Sequence, residues 1–347
     1  MTDRELARRV LTFDPRNPAS PWLLPEPRAP RPLNPIPWPL GLAPSPKPFL
    51  PSHQPADPLP RCDVLVVTWT VAEAEALADV LAPGHQHRDW YPYAHRWDWF
   101  LPRIRAGAPA RAARRLASYA VTSVGQLDVV CAKSELHMSQ DGPDLPVRDL
   151  WGQMLAETKP RLVVTTGTAG AIGPDLALGD VVVARRVRFD CTGEFRQAPF
   201  ATGAYECAAA PPASRFALAE TALLPVNADQ LPAADRTPRV VRGDGGGPGP
   251  TVVTTDFFAF DDTTNTYRLQ GLGSAVEMGD AVLGMVCQEL GPTAPAWLAV
   301  RNASDPQIDG SLPLAQQRHA AEVTYQRYGY WTSVCSAIVV WAVVAGL

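Results

Sequence analysis

The chain has 347 residues, 46% of them apolar and 19% charged, with a formal net charge of -4. That length and apolar share allow one large domain or two ordinary ones around a sizeable core, and they exclude global disorder. The charge gives no general reason to coat nucleic acid or an anionic membrane, though it leaves room for a local basic pocket.

Proline is unevenly spread: 17 of the 37 fall within the first 60 positions. Residues 1–60 therefore read as an extended proline-rich arm. Runs such as Pro25-Glu26-Pro27 and Pro35-Ile36-Pro37-Trp38-Pro39 lose backbone donors and favour polyproline II. Trp22, Leu23, Leu24, Trp38, Leu40, Phe49 and Leu50 are too apolar for a solvated linker, so the arm is expected to lie on the domain or on a neighbouring subunit. The start Met-Thr-Asp-Arg-Glu-Leu lacks the order of a secretory signal. Six cysteines without a CxxC pair read as reduced, buried thiols, and a cytoplasmic location is expected.

The folded domain, residues 61–347, opens on a buried strand, Asp63-Val64-Leu65-Val66-Val67-Thr68. A helix follows from Val71 to Leu81, with Thr70 and Glu73 at capping-box spacing and Pro83-Gly84 as its stop. Glu75 points elsewhere on that helix and reads as solvated. Residues 85–117 form an aromatic and basic insertion, with His85 and His87 read as surface residues in its Pro-Gly loop. Strands are expected at Tyr119–Ser123, Leu127–Ala132, Arg161–Thr166 and Asp180–Ala184, with a helix around Arg148–Glu157. Residues 204–250 are a second insertion ending in a glycine-rich connector at 243–250. A strand near Thr251–Thr254, a helix from about Ala275 to Leu290, a strand at Trp297–Asn302 and a long helical segment from about Leu314 complete the chain. The uncharged stretch Trp331–Leu347 just reaches the length of a membrane span, but its serines, threonine and glycine favour a terminal helix packed on the core. Strands alternating with helices predict an α/β fold with ligands at strand C-terminal ends.

Three segments could carry chemistry. Thr165-Thr166-Gly167-Thr168-Ala169-Gly170-Ala171 follows a strand, and its glycines let backbone amides approach a ligand; a tight turn between strands is the plainer explanation. It is neither a dinucleotide nor a P-loop pattern. Ala275-Val276-Glu277-Met278-Gly279-Asp280-Ala281 places acids at a helix start, where they also simply oppose the helix dipole. Val300-Arg301-Asn302-Ala303-Ser304-Asp305 ends a buried strand at the sheet edge where α/β sites form, or else a simple turn.

In this order the three resemble the motifs of the nucleoside phosphorylase and nucleosidase superfamily, with KPRLVVTTGTAGAIGPDLALGDVVV, residues 159–183, the most specific stretch. The resemblance runs from Asp63 to the C-terminal helix. It implies a three-layer α/β/α fold with a central mixed twisted sheet, a purine-type nucleoside or nucleotide as ligand, N-glycosidic cleavage, and a homo-oligomer; no cofactor or metal is implied, apart from phosphate as a cosubstrate in the phosphorylase branch. It puts Asp305 in the role of general acid to the base, and Thr168, Gly170, Phe258, Val276, Glu277 and Met278 in the substrate-binding set. Members usually carry a second glutamate after Val-Glu-Met. Here that place is Gly279, with Asp280 one residue later and, on a helix, about 100° round; either Asp280 substitutes in ribose binding or the sugar is bound differently.

Hydrolysis and phosphorolysis need different groups. Phosphate needs cations, and the arginines of phosphorylases are replaced here by Thr165 and by Thr68-Trp69-Thr70-Val71. Glu73 resembles the glutamate that orients water in the hydrolases, although it also fits a simple capping box. Hydrolysis is therefore expected. Lys133 and His137 remain candidates for holding a phosphate, or a solvated loop. A nucleoside sensor without catalysis is the alternative from another class.

Overall fold

The computed structural model describes residues 1–17, 19–25, 29–49, 52–209, 213–232, 237–242 and 250–347. Leu50, Glu26, Pro27 and the glycines of the 243–249 run lie outside these.

The principal elements, in chain order, are α1 (Asp3–Thr12), β1 (Val64–Thr68), α2 (Val71–Leu81), β2 (Ala117–Val124), β3 (Leu127–Ser134), α3 (Pro146–Thr158), β4 (Leu162–Ala171), β5 (Val181–Val183), β6 (Arg186–Phe189), β7 (Thr251–Thr254), β8 (Ala275–Glu277), α4 (Asp280–Leu290), β9 (Ala296–Asp305) and α5 (Leu314–Val344). One mixed sheet carries the order β2-β3-β1-β4-β8-β7-β6, and β9 pairs with both β4 and β5. β4 runs parallel to β1 and β9 and antiparallel to β8. It is the strand against which the candidate motifs are assembled.

Side chains alternate across a strand, so a strand covered on both faces must be apolar throughout. Val64, Val66 and Val164 join one core with α2 and α5, while Leu65, Val67 and Val163 join the other on the opposite face. α3 and α4 pack on each other, and Leu150, Trp151, Val282 and Leu283 belong to that second core. The result is three layers, α/β/α. The uncharged C-terminal stretch is the part of α5 buried on the first core, and among the described residues no helix is long and apolar enough to cross a membrane.

Several expectations need correction. The first residues are not extended: Thr2 and Glu5 close a capping box and open α1. Beyond α1 part of the arm packs on α5, with the Trp38 and Trp341 rings 4.7 Å apart and the indole of Trp341 donating to the Leu42 carbonyl at 2.7 Å; Ser45 and Pro46 pair with Ser123 and Thr122 of β2, Phe49 packs on Tyr91, and Leu40 is exposed rather than covered. The glycine segment at 167–170 is not a turn; β4 runs through it to Ala171. Residues 275–277 are a strand rather than a helix start, and α4 begins only at Asp280. Glu75 and His87 are buried, not solvated.

Candidate active site

A partly open cavity of about 70 Å³ lies where β1, β4, β8 and β9 end. Two glycines of β4 let acids approach its backbone. A Cβ on Gly167, whose φ is 144°, would overlap the Glu73 carboxylate. A Cβ on Gly170 would lie 2.9 Å from Asp305 Oδ2. The glycines of the motif thus admit two carboxylates to the strand.

Glu73 sits at the third position of α2. Its amide donates to the Thr70 hydroxyl at 3.1 Å, and its Oε2 accepts from the Thr70 amide at 2.8 Å. The simple capping box is therefore present. Oε2 also accepts from the Trp69 amide at 3.0 Å and the Thr68 hydroxyl at 2.6 Å. Oε1 turns to β4 and accepts from the amide and hydroxyl of Thr168, at 2.7 and 2.6 Å. Burial pushes this carboxyl up, but the Arg301 charge and the Thr168 and Thr68 hydroxyls outweigh it and hold it below the ordinary carboxylate range.

Asp305 ends β9 and is held differently. Burial pushes its carboxyl up to about 6, against a single opposing hydrogen bond from the Ser304 hydroxyl at 2.8 Å. Two carboxyls on one cavity thus favour opposite protonation states in mildly acidic solution below about pH 6, Asp305 protonated and Glu73 ionised.

Between them lies an ionic cluster. Arg301, buried on β9, is bidentate on Asp280, with Nε 2.8 Å from Oδ2, and Nη2 also reaches Glu277 Oε2 at 3.3 Å. Its guanidinium carbon lies 4.9 Å from the centre of the Trp69 ring. Glu277 accepts from the Gly279 and Asp280 amides, at 2.6 and 3.0 Å, and so caps α4. Burial and the neighbouring Asp280 charge push Glu277 up to about 7, with Arg301 opposing.

Of the residues singled out in the sequence, Glu73, Thr168, Gly170, Phe258, Val276, Glu277, Met278, Asp305 and His137 line this cavity. Asp280 does not: its carboxylate is turned to Arg301 and fully buried, which removes it as a stand-in for the ribose-binding glutamate. Lys133 does not either; it is buried on β3 with its ammonium 2.5 Å from Glu135. Burial pushes His137 down to about 3, so its ring is neutral, and its Nδ1 accepts from the Ser139 amide at 3.2 Å. The two do not form a cationic phosphate clamp.

Sequence reasoning missed Arg301, Trp69, Tyr325, Val10 and Leu11, which also line the cavity. A lone arginine directly after the run Trp297-Leu298-Ala299-Val300 was a readable signal, since a buried charge demands partners. The spacing Thr2-Asp3-Arg4-Glu5 was the signal for α1. Among the described residues no group of three or more His, Cys, Asp or Glu is placed to hold a metal ion.

A model of the phosphorylase superfamily matches residues 152–326. The chain belongs to the phosphorylase superfamily. Within its boundaries lie β4 with both glycines, β8 and β9, hence Thr168, Glu277, Arg301 and Asp305; α1 and Glu73 lie before it. Among solved structures the chain is similar to the futalosine hydrolase of Helicobacter pylori, at 15% identity and a TM-score of 0.50, covering 82% of this chain and 97% of that one. It is also similar to the 5'-methylthioadenosine/S-adenosyl homocysteine nucleosidase of the same organism, at 15% identity and a TM-score of 0.50, covering 84% of this chain and 100% of that one. These likenesses establish the nucleoside phosphorylase-like fold. No curated protein matches the chain by sequence.

Proposed function

We propose that this superfamily member hydrolyses the N-glycosidic bond of a purine-type nucleoside. The observation that carries the reading is the pair of carboxylates on one cavity, Glu73 ionised and Asp305 holding its proton up to about pH 6. Leaving-group departure needs a proton delivered to the base, and the oxocarbenium-like sugar needs water delivered to its anomeric carbon. Asp305 is the general acid in this reading, with Phe258, Val276 and Met278 around the base. Glu73 orients water through Oε1, its one cavity-side partner being Thr168. The two glycines that admit the acids are three residues apart on β4, about 10 Å along an extended strand.

Water is favoured over phosphate as the nucleophile by charge. Among the described residues lining the cavity Arg301 is the only arginine or lysine, and Asp280 and Glu277 already occupy it. An entering phosphate would meet Glu73 and Glu277 with no cation left over.

The test is release of free base from a nucleoside and nucleotide panel, with and without phosphate. Release without phosphate, lost in Asp305→Asn and in Glu73→Gln, is expected. Strict phosphate dependence would move the reaction to phosphorolysis. Saturable binding without turnover, unchanged in Asp305→Asn, would make the chain a sensor.

A further inference from the structure

The nucleosidase reading seats the sugar between Asp305 and Glu73, so the polar groups along that stretch decide which sugar fits. A sugar hydroxyl taken out of water must donate its proton to an acceptor, or it costs affinity. Most acceptors there are already filled. On Glu277, Oε1 takes the Thr254 hydroxyl and the Asp280 amide, and Oε2 takes the Gly279 amide at 2.6 Å and Arg301 at 3.3 Å. The Thr70 oxygen accepts from the Glu73 amide at 3.1 Å and from the Tyr325 hydroxyl at 2.9 Å. Glu73 Oε2 takes three donors, and Oε1, already bonded to the Thr168 amide and hydroxyl, is the atom that serves water.

Other groups along the stretch only donate. Arg301 has no acceptor atom, and His137 Nδ1 already accepts the Ser139 amide at 3.2 Å, which puts the ring proton on Nε2. Thr255 and Ser304 belong to the base end, with their hydroxyls turned to the Phe257 carbonyl and to Asp305, each at 2.8 Å. Thr168 is left. Its hydroxyl spends its proton on Glu73 and keeps its lone pairs, so it is the one open side-chain acceptor for the sugar among the described lining residues.

Trp69 closes the place where a second acceptor would stand. It lines the cavity beside Gly279, which brings no side chain; a Cβ there would come within 3.3 Å of the indole, and the Arg301 guanidinium carbon lies 4.9 Å from the ring centre. An aromatic surface packs well on a methylene and gives a hydroxyl nothing to donate to.

Resting on the nucleosidase reading, we propose that the substrate is a 2′-deoxyribonucleoside, with Trp69 as a specificity-determining residue that sets its ring against C2′. Ribose brings two ring hydroxyls to one acceptor. The deoxy sugar brings one, which takes the Thr168 oxygen.

Affinity tests this better than rate, because the glycosidic bond of a 2′-deoxynucleoside breaks more readily whatever the enzyme. The probes are carbon-linked analogues of adenosine and inosine, which cannot be hydrolysed, each with ribose and with 2′-deoxyribose, titrated calorimetrically into the full chain. The deoxy form is expected to bind at least about fivefold tighter, the lower end of what an unpaired buried hydroxyl costs. Equal affinity, or tighter binding of the ribose form, overturns the proposal and leaves the nucleosidase reading standing. Trp69→Gln puts an amide oxygen where the ring was, and the preference should shrink to about twofold or less. Trp69→Phe keeps an apolar ring and should keep the preference. A full preference in Trp69→Gln, or its loss in Trp69→Phe, removes Trp69 from the role. If neither form binds and the unaltered chain releases no base from any nucleoside, the nucleosidase reading falls and the proposal with it.

Discussion

Gly167 and Glu73 occupy adjoining space so closely that a Cβ on the glycine would overlap the carboxylate. The glycine also holds a φ of 144°, which side-chain-bearing residues rarely adopt. Both facts point to one outcome. Gly167→Ala is expected to cost about 1–3 kcal/mol of stability by overpacking and backbone strain. It also displaces Glu73 from Thr168, so base release should fall at least about a hundredfold while binding of the free base is kept, since the Asp305 end is untouched. Thermal unfolding and a base-binding titration separate the two effects; a variant of unchanged activity would refute the placement of Glu73.

Asp305 gives the reaction its pH dependence. An acid raised to about 6 by burial is protonated below that value and ionised above it. With Asp305 as general acid, kcat/KM is expected to fall about tenfold per unit as pH rises beyond about 6. Glu73, held below 4.5, contributes only an acid limb under that pH. The same shift acts on stability. The folded chain binds more protons than the unfolded one between 3.8 and 6, so this group's contribution falls as pH rises through that window. Asp305→Asn removes the alkaline limb from whatever activity remains; an unmoved limb in that variant assigns it to another group.

How much of this was legible beforehand depended on how local the cause was. The α2 cap, the buried strands and the long C-terminal helix follow from short-range chemistry, and the sequence pattern places them near their observed bounds. The extension of β4 through its glycines was not legible, because strand pairing with β9 and β8 overrides the turn preference of Gly167 and Gly170. Asp280 was a candidate for the sugar as the acid next to the place where family members carry a second glutamate. The observed strand carries Glu277 into the cavity, while Asp280, in the first turn of α4, meets Arg301, a partner 21 residues away. Gly279 fits the same picture, since a Cβ there would come within 3.3 Å of the Trp69 ring, a crowding that no local pattern announces.

Arg301 is expected to be the least replaceable residue of the cluster. Removing it leaves Asp280 and Glu277 buried without their cation, a loss of about 3–5 kcal/mol for a broken buried pair. Arg301→Lys keeps a charge but gives up the bidentate fork on Asp280 and the stack on Trp69, so it should be nearly as damaging as Arg301→Gln. Because Arg301 also helps to hold Glu73 ionised, the acid limb of kcat/KM should move to higher pH in Arg301→Gln. Stability without that movement would separate the structural role from the electrostatic one.

Glu75 supplies a test of the arm that leaves the cavity alone. It is buried on α2, 3.3 Å from Arg16 of the arm and 3.9 Å from His87. Burial pushes His87 down to about 3, so that ring is neutral and offers no ion pair. Burial likewise raises Glu75 to about 7, and the Arg16 charge opposes this only in part. The sign follows directly. The folded chain holds a proton here that the unfolded chain has released, so stability contributed by this site is complete below about 4.5 and declines as pH rises through 7. Glu75→Gln removes the ionisation while keeping size and shape. At pH 8 the variant is therefore expected to be more stable than the unaltered chain, by about 1–2 kcal/mol once solvent screening around Arg16 is allowed for, and close to it at pH 4. Chemical denaturation at both pH values reads the difference. A Glu75→Gln chain that is less stable at pH 8 would mean that the Arg16 pair outweighs the burial of its carboxylate, and that the arm is clamped to α2 by charge rather than by packing.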